Sequence, residues 1–168
     1  MEQTKNQTGP QLGQAKSILS DRLQEVTDFV SGKPLDQTLQ NLLNQRFSSS
    51  SDWYREVLSL FELAVQEGWA CQYEAGGIRY GRIFKPELSL SGFSLDLVHM
   101  DDVIGPKHCH PNGEIDLVFP LVEGAAFDGV SDGWKVYEPG SVHCPTVTGG
   151  SAYVMYLLPE GAIEFKDR

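Results

Sequence analysis

The sequence predicts a mainly β protein with an α-helical N-terminal region. Up to residue 68, apolar residues recur at the spacing of amphipathic helices. After residue 68, short segments rich in β-branched and aromatic residues alternate with Gly, Pro and Asp-Gly turns. Many short strands separated by frequent turns are typical of a sandwich or barrel. We therefore expect a loose tail over residues 1–10, a helical extension over 11–68 and a β domain over 69–168.

Three helices are predicted in the N-terminal region. The first runs over residues 11–30 and ends at a Gly-Lys-Pro segment. Asp36 is the predicted N-cap of a second, shorter helix that reaches Phe47. Asp52 is the predicted N-cap of a third helix, which Gly68 closes. The apolar stripes of these helices need a surface to cover them, either the β domain, a partner subunit or both.

Six segments after residue 68 carry the pattern of strands. Each spans four to eight residues and is bounded by turn-forming residues. The predicted strands are 69–73, 78–84, 93–100, 115–121, 134–137 and 152–157. The end of the chain is either a last strand or a tail over the barrel.

One short stretch concentrates side chains that bind transition metals. His108 and His110 stand two residues apart, so both point to the same face of an extended strand. The Pro-Asn-Gly segment after them is a turn signal, and this turn returns Glu114 to the same point in space. Downstream, His143 follows a strand and a Pro-Gly turn. Imidazoles and a carboxylate together suit a mid-series divalent metal, whereas the remaining histidine, His99, is predicted to have no ligand role.

The two stretches together resemble the paired motifs of the cupin superfamily. The first motif is His-x-His, three residues and Glu; the second is Gly, five residues, Pro-Gly, two residues and His. Two departures are visible: no residue stands between Pro139 and Gly140, and the Gly that closes the first motif comes late, at Gly124. The resemblance implies a cupin-type antiparallel double-sheet β-barrel (jelly roll), with the metal inside.

Charge and cysteine usage exclude several classes of partner. The net charge of −10 and the pI near 4.7 argue against nucleic acid, and they disfavour a helix-turn-helix as the alternative for the helical region. No apolar run approaches the length of a membrane span, so no membrane partner is expected. Three cysteines fit no disulfide framework, which favours a cytoplasmic location. Cys109 and Cys144 are predicted to be buried thiols that point away from the metal.

A second group of polar side chains precedes the metal motif. Tyr80 and Arg82 share one face of a predicted strand, and Arg79 takes the other. In an acidic chain, an arginine beside a metal-binding strand suits a carboxylate substrate, which it can hold with two hydrogen bonds. Surface arginines in local salt bridges are the alternative that this pattern leaves open.

Longer segments resemble the 4-hydroxylaminobenzoate lyase family of bacterial nitroaromatic breakdown. These segments are 75–82, 110–116, 137–143 with 145–147, and 156–165, and the likeness covers most of residues 53–166. The resemblance implies a reaction that turns 4-hydroxylaminobenzoate and water into 3,4-dihydroxybenzoate and ammonia. The substrate would be a small aromatic acid.

The candidate residues have roles that would fit this reaction, and we state these roles as hypotheses. The metal would be one divalent transition ion, with iron, manganese, nickel and zinc as candidates, bound by His108, His110, Glu114 and His143. Glu114, Arg82 and Tyr80 are the candidate catalytic residues. Arg82, Arg79 and Tyr80 are the candidate substrate-binding residues, with either arginine holding the ring carboxylate.

Two other functions stay open at this point. A metal-dependent dioxygenase of the same barrel class could use the same ligands on an aromatic acid. A non-enzymatic cupin could bind a small molecule as a sensor or storage module. We also expect a homodimer, because the helices carry more apolar surface than a lone helical arm buries.

Overall fold

The computed structural model describes residues 12–166. Three helices come first: α1 (Leu12–Val30), α2 (Gln37–Arg46) and α3 (Asp52–Glu67). They lie where the apolar periodicity predicts helices. The predicted tail over residues 1–10 and the first residue of the first predicted helix lie outside the described residues.

Of the two predicted N-caps, the one for α2 is correct and the one for α3 is wrong. Asp36 caps α2 by accepting a hydrogen bond from a backbone N–H of the first turn at 2.9 Å, as predicted. In α3 the N-cap is Ser51, which accepts from the N–H of Tyr54 at 3.2 Å, and Asp52 is the first helical residue. The carboxylate of Asp52 is favourable there because the first turn is the positive end of the helix. Gly68 ends α3 in the left-handed conformation, with φ of 84°.

Strands make up most of the remaining chain. They are β1 (Tyr73–Ala75), β2 (Ile78–Phe84), β3 (Phe93–Ile104), β4 (His108–His110), β5 (Glu114–Pro120), β6 (Ala126–Phe127), β7 (Gly133–Tyr137), β8 (Ser141–His143), β9 (Thr146–Pro159) and β10 (Glu164–Phe165). Five of the six predicted strands are present, although β3 and β9 are longer than the segments that predicted them. A 3₁₀ turn separates β2 from β3.

The predicted strand over residues 69–73 is wrong. Trp69, Ala70 and Cys71 are all buried, which no strand with alternating exposed and buried faces would give. Cys71 has a φ of 52°, a left-handed conformation that interrupts an extended chain. Its thiol donates a weak hydrogen bond to the carbonyl of Leu97. A compact turn of apolar residues therefore precedes β1.

The strands form two antiparallel sheets. The larger has the order β1-β2-β3-β9-β5-β7, with β6 also paired to β9, and the smaller has the order β10-β4-β8. This architecture confirms the predicted class, mainly β with a helical N-terminal region and a double antiparallel sheet. Between residues 12 and 166, strand pairing does not join the two sheets into a closed barrel.

The helices cover one face of the larger sheet. In β5, Ile115, Leu117 and Phe119 belong to an apolar cluster that includes buried residues of α1, α2 and α3. Glu114 and Asp116 alternate with them and therefore face the side of the smaller sheet. Helices and sheet thus share one apolar core, and the division of the chain into two parts at residue 68 stays a prediction.

The structure tests the predicted burial of two cysteines. Cys109 is half-buried and Cys144 is exposed, so the prediction of a buried Cys144 is wrong. Cys144 follows β8, which lies at the edge of the smaller sheet.

None of the helices within residues 12–166 has both the length and the apolar character needed to cross a bilayer.

Candidate metal centre

The fold brings together the four side chains that the sequence singles out as metal ligands. His108 and His110 lie on β4, Glu114 begins β5 and His143 ends β8. One ligand atom from each of the four lies within 4.8 Å of the others. Strands β4 and β8 are antiparallel and His108 is directly opposite His143, so two distant segments meet at one point.

A tight turn carries the chain from β4 to Glu114. The N–H of Gly113 donates to the carbonyl of His110 at 3.1 Å, and Gly113 adopts a φ of 83°. A Cβ at this position would lie 2.7 Å from the carbonyl oxygen of Tyr137. Glycine is therefore required twice, by the left-handed backbone and by the close approach of a second segment.

The ligand cluster is almost completely removed from solvent. His110 is 0% exposed, Glu114 1% and His108 4%, whereas the side chain of His143 is 14% exposed. Nε2 of His108 and Oε1 of Glu114 have no hydrogen-bond partner within residues 12–166, whereas Oε2 of Glu114 lies 2.9 Å from Nε2 of His110. Buried polar atoms without partners are costly, and a cation among them would satisfy both. The donor set therefore fits a divalent transition metal.

The spacing of the nitrogen atoms supports the same interpretation. Nε2 of His110 lies 2.9 Å from Nε2 of His143 and 2.9 Å from Oε2 of Glu114, while the His143–Glu114 distance is 3.7 Å. Two imidazole nitrogens that face each other cannot both be deprotonated without repulsion between their lone pairs. A shared cation removes that conflict. Four protein ligands also leave room for water or substrate on an ion that takes five or six.

Burial and neighbouring charges set the protonation of the cluster. Burial, together with the charge of His110, lowers the pKa of His108 to about 4, so its imidazole is neutral at pH 7. Burial alone would raise the pKa of Glu114, but its contacts with His110 and His143 outweigh burial and lower it. Burial would lower the pKa of His143, yet hydrogen bonds with Asp128 and Glu114 raise it to about 9. The negative charge that holds this proton also favours a cation.

Asp116 is a buried carboxylate that sequence reasoning missed. It is fully buried, and neither of its oxygens has a hydrogen-bond partner within residues 12–166. Burial and the charge of Glu114 raise the pKa of Asp116 well above its ordinary value. The signal was available, since Asp116 follows Glu114 by two residues and strand alternation places both on one face.

Sequence reasoning also missed Asp128 and Tyr137. Both contact His143, and Asp128 does so at Nδ1, the ring nitrogen that is not directed at His110. Nδ1 of His143 lies 2.8 Å from Oδ2 of Asp128, and the hydroxyl of Tyr137 donates to the same oxygen. The Tyr137 ring lies against the His143 ring, with centroids 4.3 Å apart. The Asp-Gly pair at 128–129 signals only a turn in the sequence, so its role at the site depended on tertiary structure.

A cavity of about 530 Å³ opens beside the cluster. His108 is the one candidate ligand in its wall, and the predicted residues Tyr80 and Arg82 line it as well. Arg79 does not line this cavity; it is exposed and pairs in register with His99. His99 itself is outside the ligand cluster within the described residues.

Arg82 is already engaged by a carboxylate. Its Nε and Nη2 donate to the two oxygens of Asp96 at 2.8 and 3.2 Å, and Nη2 also approaches the carbonyl of Gly161 at 3.4 Å. Within residues 12–166, Nη1 has no hydrogen-bond partner. The salt-bridge alternative to the predicted role is therefore present in the structure, and only Nη1 is free to meet a substrate.

Comparison with known proteins places this site in a family. A family model described as PnbB, 4-hydroxylaminobenzoate lyase, matches residues 21–165. The chain belongs to the 4-hydroxylaminobenzoate lyase family. This membership confirms the predicted family and the predicted enzyme class, lyase.

Two curated relatives of this lyase family span most of the chain. A 4-hydroxylaminobenzoate lyase from Nocardioides sp. (strain LMS-CY) is 36% identical in an alignment 138 residues long, and the match covers 77% of this chain and 82% of that protein. A 4-hydroxylaminobenzoate lyase from Pseudomonas putida is 31% identical in an alignment 153 residues long, and that match covers 81% of this chain and 87% of that protein. Among solved structures, an RmlC-like cupin protein from Ralstonia eutropha matches with a TM-score of 0.43 and 14% identity, over 55% of this chain and 62% of that chain.

Proposed function

We propose that this protein is a metal-dependent lyase that converts 4-hydroxylaminobenzoate and water into 3,4-dihydroxybenzoate and ammonia. The observation that carries the proposal is the buried cluster of three histidines and one glutamate at the wall of a largely apolar cavity. Family membership supports the reaction, and the names of both curated relatives support the substrate.

The four clustered side chains, His108, His110, Glu114 and His143, are the proposed metal ligands. A divalent metal bound there would act as a Lewis acid toward an oxygen of the substrate or of water. The chain supplies neutral imidazole at His108 and a carboxylate at Glu114, which are the protonation states that metal binding requires. The metal identity, among iron, manganese, nickel and zinc, stays open.

The proposed reaction is redox-neutral. The N–O bond of the hydroxylamino group breaks, and the hydroxyl takes up a proton and leaves as water. The oxygen of another water forms a bond to the neighbouring ring carbon. A further water then cleaves the carbon–nitrogen bond, releases ammonia and leaves two adjacent hydroxyls on the ring, so one water is consumed overall.

The cavity wall suits the substrate ring. Ile78, Val98 and Met100 provide apolar contacts, and Tyr80 and Tyr156 add aromatic surface. A ring placed against this wall buries apolar surface, and His108 in the same wall puts it beside the candidate ligands.

Arg82 is the proposed partner of the ring carboxylate. Asp96 fixes the guanidinium through two hydrogen bonds, which leaves Nη1 as the donor that meets the substrate. The Arg82–Asp96 pair is close to neutral overall, so we expect a carboxylate to bind through this one edge with moderate affinity. Tyr80 lies in the same wall and is proposed to contact the ring. Arg79, which is absent from the wall, is the weaker candidate.

The purified protein, supplied with each candidate metal in turn, tests the proposal directly. We expect 4-hydroxylaminobenzoate to yield ammonia and 3,4-dihydroxybenzoate in equal amounts, at the same rate under air and under nitrogen. As the matched control, 4-aminobenzoate has no N–O bond and should not react. Oxygen uptake during turnover would favour the dioxygenase, and saturable binding without any product would favour a binding protein; either result contradicts the lyase.

A further inference from the structure

The carboxylate of Asp128 receives three hydrogen bonds from three different parts of the chain. Nδ1–H of His143 and the hydroxyl of Tyr137 donate to Oδ2, the first over 2.8 Å. The N–H of Thr146 donates to Oδ1 at 2.8 Å. A carboxylate with both oxygens occupied in this way is fixed in position and can in turn fix the imidazole that it contacts.

The backbone around Asp128 is arranged to place this carboxylate. Asp128 has a φ of 45°, a left-handed conformation that aspartate tolerates better than most residues, and its N–H donates to the carbonyl of Thr146 at 2.9 Å. The preceding Phe127 is fully buried and pairs with Val147 of β9. The turn is therefore held by strand β9 on one side and by the apolar core on the other.

This contact decides which nitrogen of His143 faces the ligand cluster. In the neutral imidazole that metal binding requires, the contact with Asp128 keeps the proton on Nδ1 and leaves the lone pair on Nε2. Nε2 is the atom that lies 2.9 Å from Nε2 of His110 and 3.7 Å from Glu114. Tyr137 adds a second constraint, since its ring packs against the His143 ring at an angle of 37° while its hydroxyl donates to the same carboxylate oxygen.

The other two histidines lack a carboxylate of this kind. Nδ1 of His108 lies 3.0 Å from the carbonyl of Pro106, which is a neutral acceptor. Nδ1 of His110 is buried without a hydrogen-bond partner within residues 12–166. The electrostatic support for the cluster is thus concentrated on His143, which is also the most exposed of the ligands and the one from the most distant segment.

We propose that Asp128, assisted by Tyr137, is a positioning residue that holds His143 in the metal-binding tautomer and orientation. This inference rests on the proposed function only in that the cluster binds a metal. A charged acceptor behind an imidazole increases its basicity and restricts its rotation, and loss of such a partner typically costs about 10-fold to 100-fold in metal affinity.

The test measures Co²⁺ affinity in Asp128→Asn, by competition with a chromophoric chelator, together with the visible spectrum of the bound Co²⁺. We expect affinity to fall by about 10-fold to 100-fold and the Co²⁺ bands to shift, because the ligand field of His143 changes. Asp132→Asn is the matched control, since Asp132 is an exposed aspartate of the same β6–β7 connection. The control should leave affinity and spectrum unchanged.

Tyr137→Phe keeps the ring that packs against His143 and removes only the hydroxyl, so it tests the proposal if Asp128→Asn fails to fold. A smaller loss of affinity with a shifted spectrum supports the proposal. Unchanged affinity and spectrum in the folded Asp128→Asn protein, or in Tyr137→Phe where only that variant folds, overturn it.

The outcomes separate the two proposals. A wild-type protein that binds Co²⁺ but does not consume 4-hydroxylaminobenzoate contradicts the proposed reaction, while the affinity comparison still tests Asp128. If the wild-type protein consumes this substrate and the Asp128→Asn protein binds Co²⁺ as tightly as wild type, only the role of Asp128 is contradicted. A wild-type protein that binds no divalent metal overturns both.

Discussion

The two faces of the larger sheet differ in what they bury. Toward the helices, Ile115, Leu117 and Phe119 are fully buried among apolar side chains. On the other face of the same strand, Glu114 and Asp116 are buried, and within residues 12–166 both oxygens of Asp116 and Oε1 of Glu114 have no hydrogen-bond partner. Alternate residues of β5 therefore point to opposite faces of the sheet. One set packs in the apolar core, and the other set lies at the candidate site.

The two faces also differ in whether their buried polar groups have hydrogen-bond partners. In the helical core, the hydroxyl of Tyr54 donates to the carbonyl of Val118 at 2.6 Å, and the indole N–H of Trp134 donates to the carbonyl of Phe47 at 2.9 Å. At the site, Nε2 of His108, Oε1 of Glu114 and both oxygens of Asp116 have no hydrogen-bond partner within residues 12–166, which costs stability in the absence of a ligand. Such an arrangement is expected where a surface is selected for binding and not for folding.

The largest expected effect comes from the helical face. Phe119→Ala should lower the free energy of unfolding by about 3–5 kcal/mol, because it removes a fully buried ring. The centroid of this ring lies 4.5 Å from that of Tyr54 and 5.8 Å from that of Phe61. Denaturant titration measures this loss. In the protein that remains folded, metal affinity should stay within a few-fold of wild type; a large loss of affinity would show that the two faces are not separate.

The next effect belongs to the site. His110→Ala should weaken metal binding by at least about 100-fold, since losing a ligand costs more than losing the partner of a ligand. Metal content after gel filtration measures it. His99→Ala is the matched control, a half-buried strand histidine outside the ligand cluster, and it should keep its metal. Equal metal loss in both variants would contradict the assignment.

A smaller effect is expected for the substrate carboxylate. Arg82→Ala should raise KM for 4-hydroxylaminobenzoate by about 10-fold to 100-fold, corresponding to the ~1.5–3 kcal/mol of a charge-assisted hydrogen bond. Metal content should be unchanged. Steady-state kinetics with N-phenylhydroxylamine, which lacks the carboxylate, should show little effect of the same substitution.

Arg79→Ala is the control for this experiment, because Arg79 is absent from the cavity wall. An equal loss with both substrates would mean that Arg82 acts by holding Asp96 and the wall in place.

The smallest effect returns to the helical face. Tyr54→Phe should cost about 1–2 kcal/mol of unfolding free energy, because the buried carbonyl of Val118 loses its side-chain donor while the ring contacts remain. Denaturant titration measures it, and kcat and KM should be unaffected. A change in KM without a change in stability would place Tyr54 in the site and not in the core.

Local pattern was enough to predict that three of the four candidate ligands lie together. The spacing of His108, His110 and Glu114 lies within one strand and one turn, so alternation and turn propensity were enough to bring them together. His143 required the pairing of β4 with β8, which the family resemblance supplied. Helix positions followed from periodicity, although Ser51 replaced Asp52 as a cap because both residues are good N-caps and stand side by side.

Groups whose roles depend on distant pairing were not predictable. Asp128 reaches His143 only because β6 pairs with β9, and Arg82 meets Asp96 only because β2 and β3 pair in that register. Cys71 looked like part of a strand, but its left-handed backbone depends on how the apolar turn packs. The expected homodimer and cytoplasmic location stay predictions.

Metal reconstitution tests the proposed role of the cluster most directly. The metal-free protein is titrated with each candidate metal while ammonia release from 4-hydroxylaminobenzoate is followed. We expect no ammonia from the metal-free protein, and a rate that rises linearly and stops rising at one ion per chain, with the His110→Ala protein inactive at that ratio. Full turnover by metal-free protein, or undiminished turnover by metal-free His110→Ala, would contradict a metal centre formed by His108, His110, Glu114 and His143.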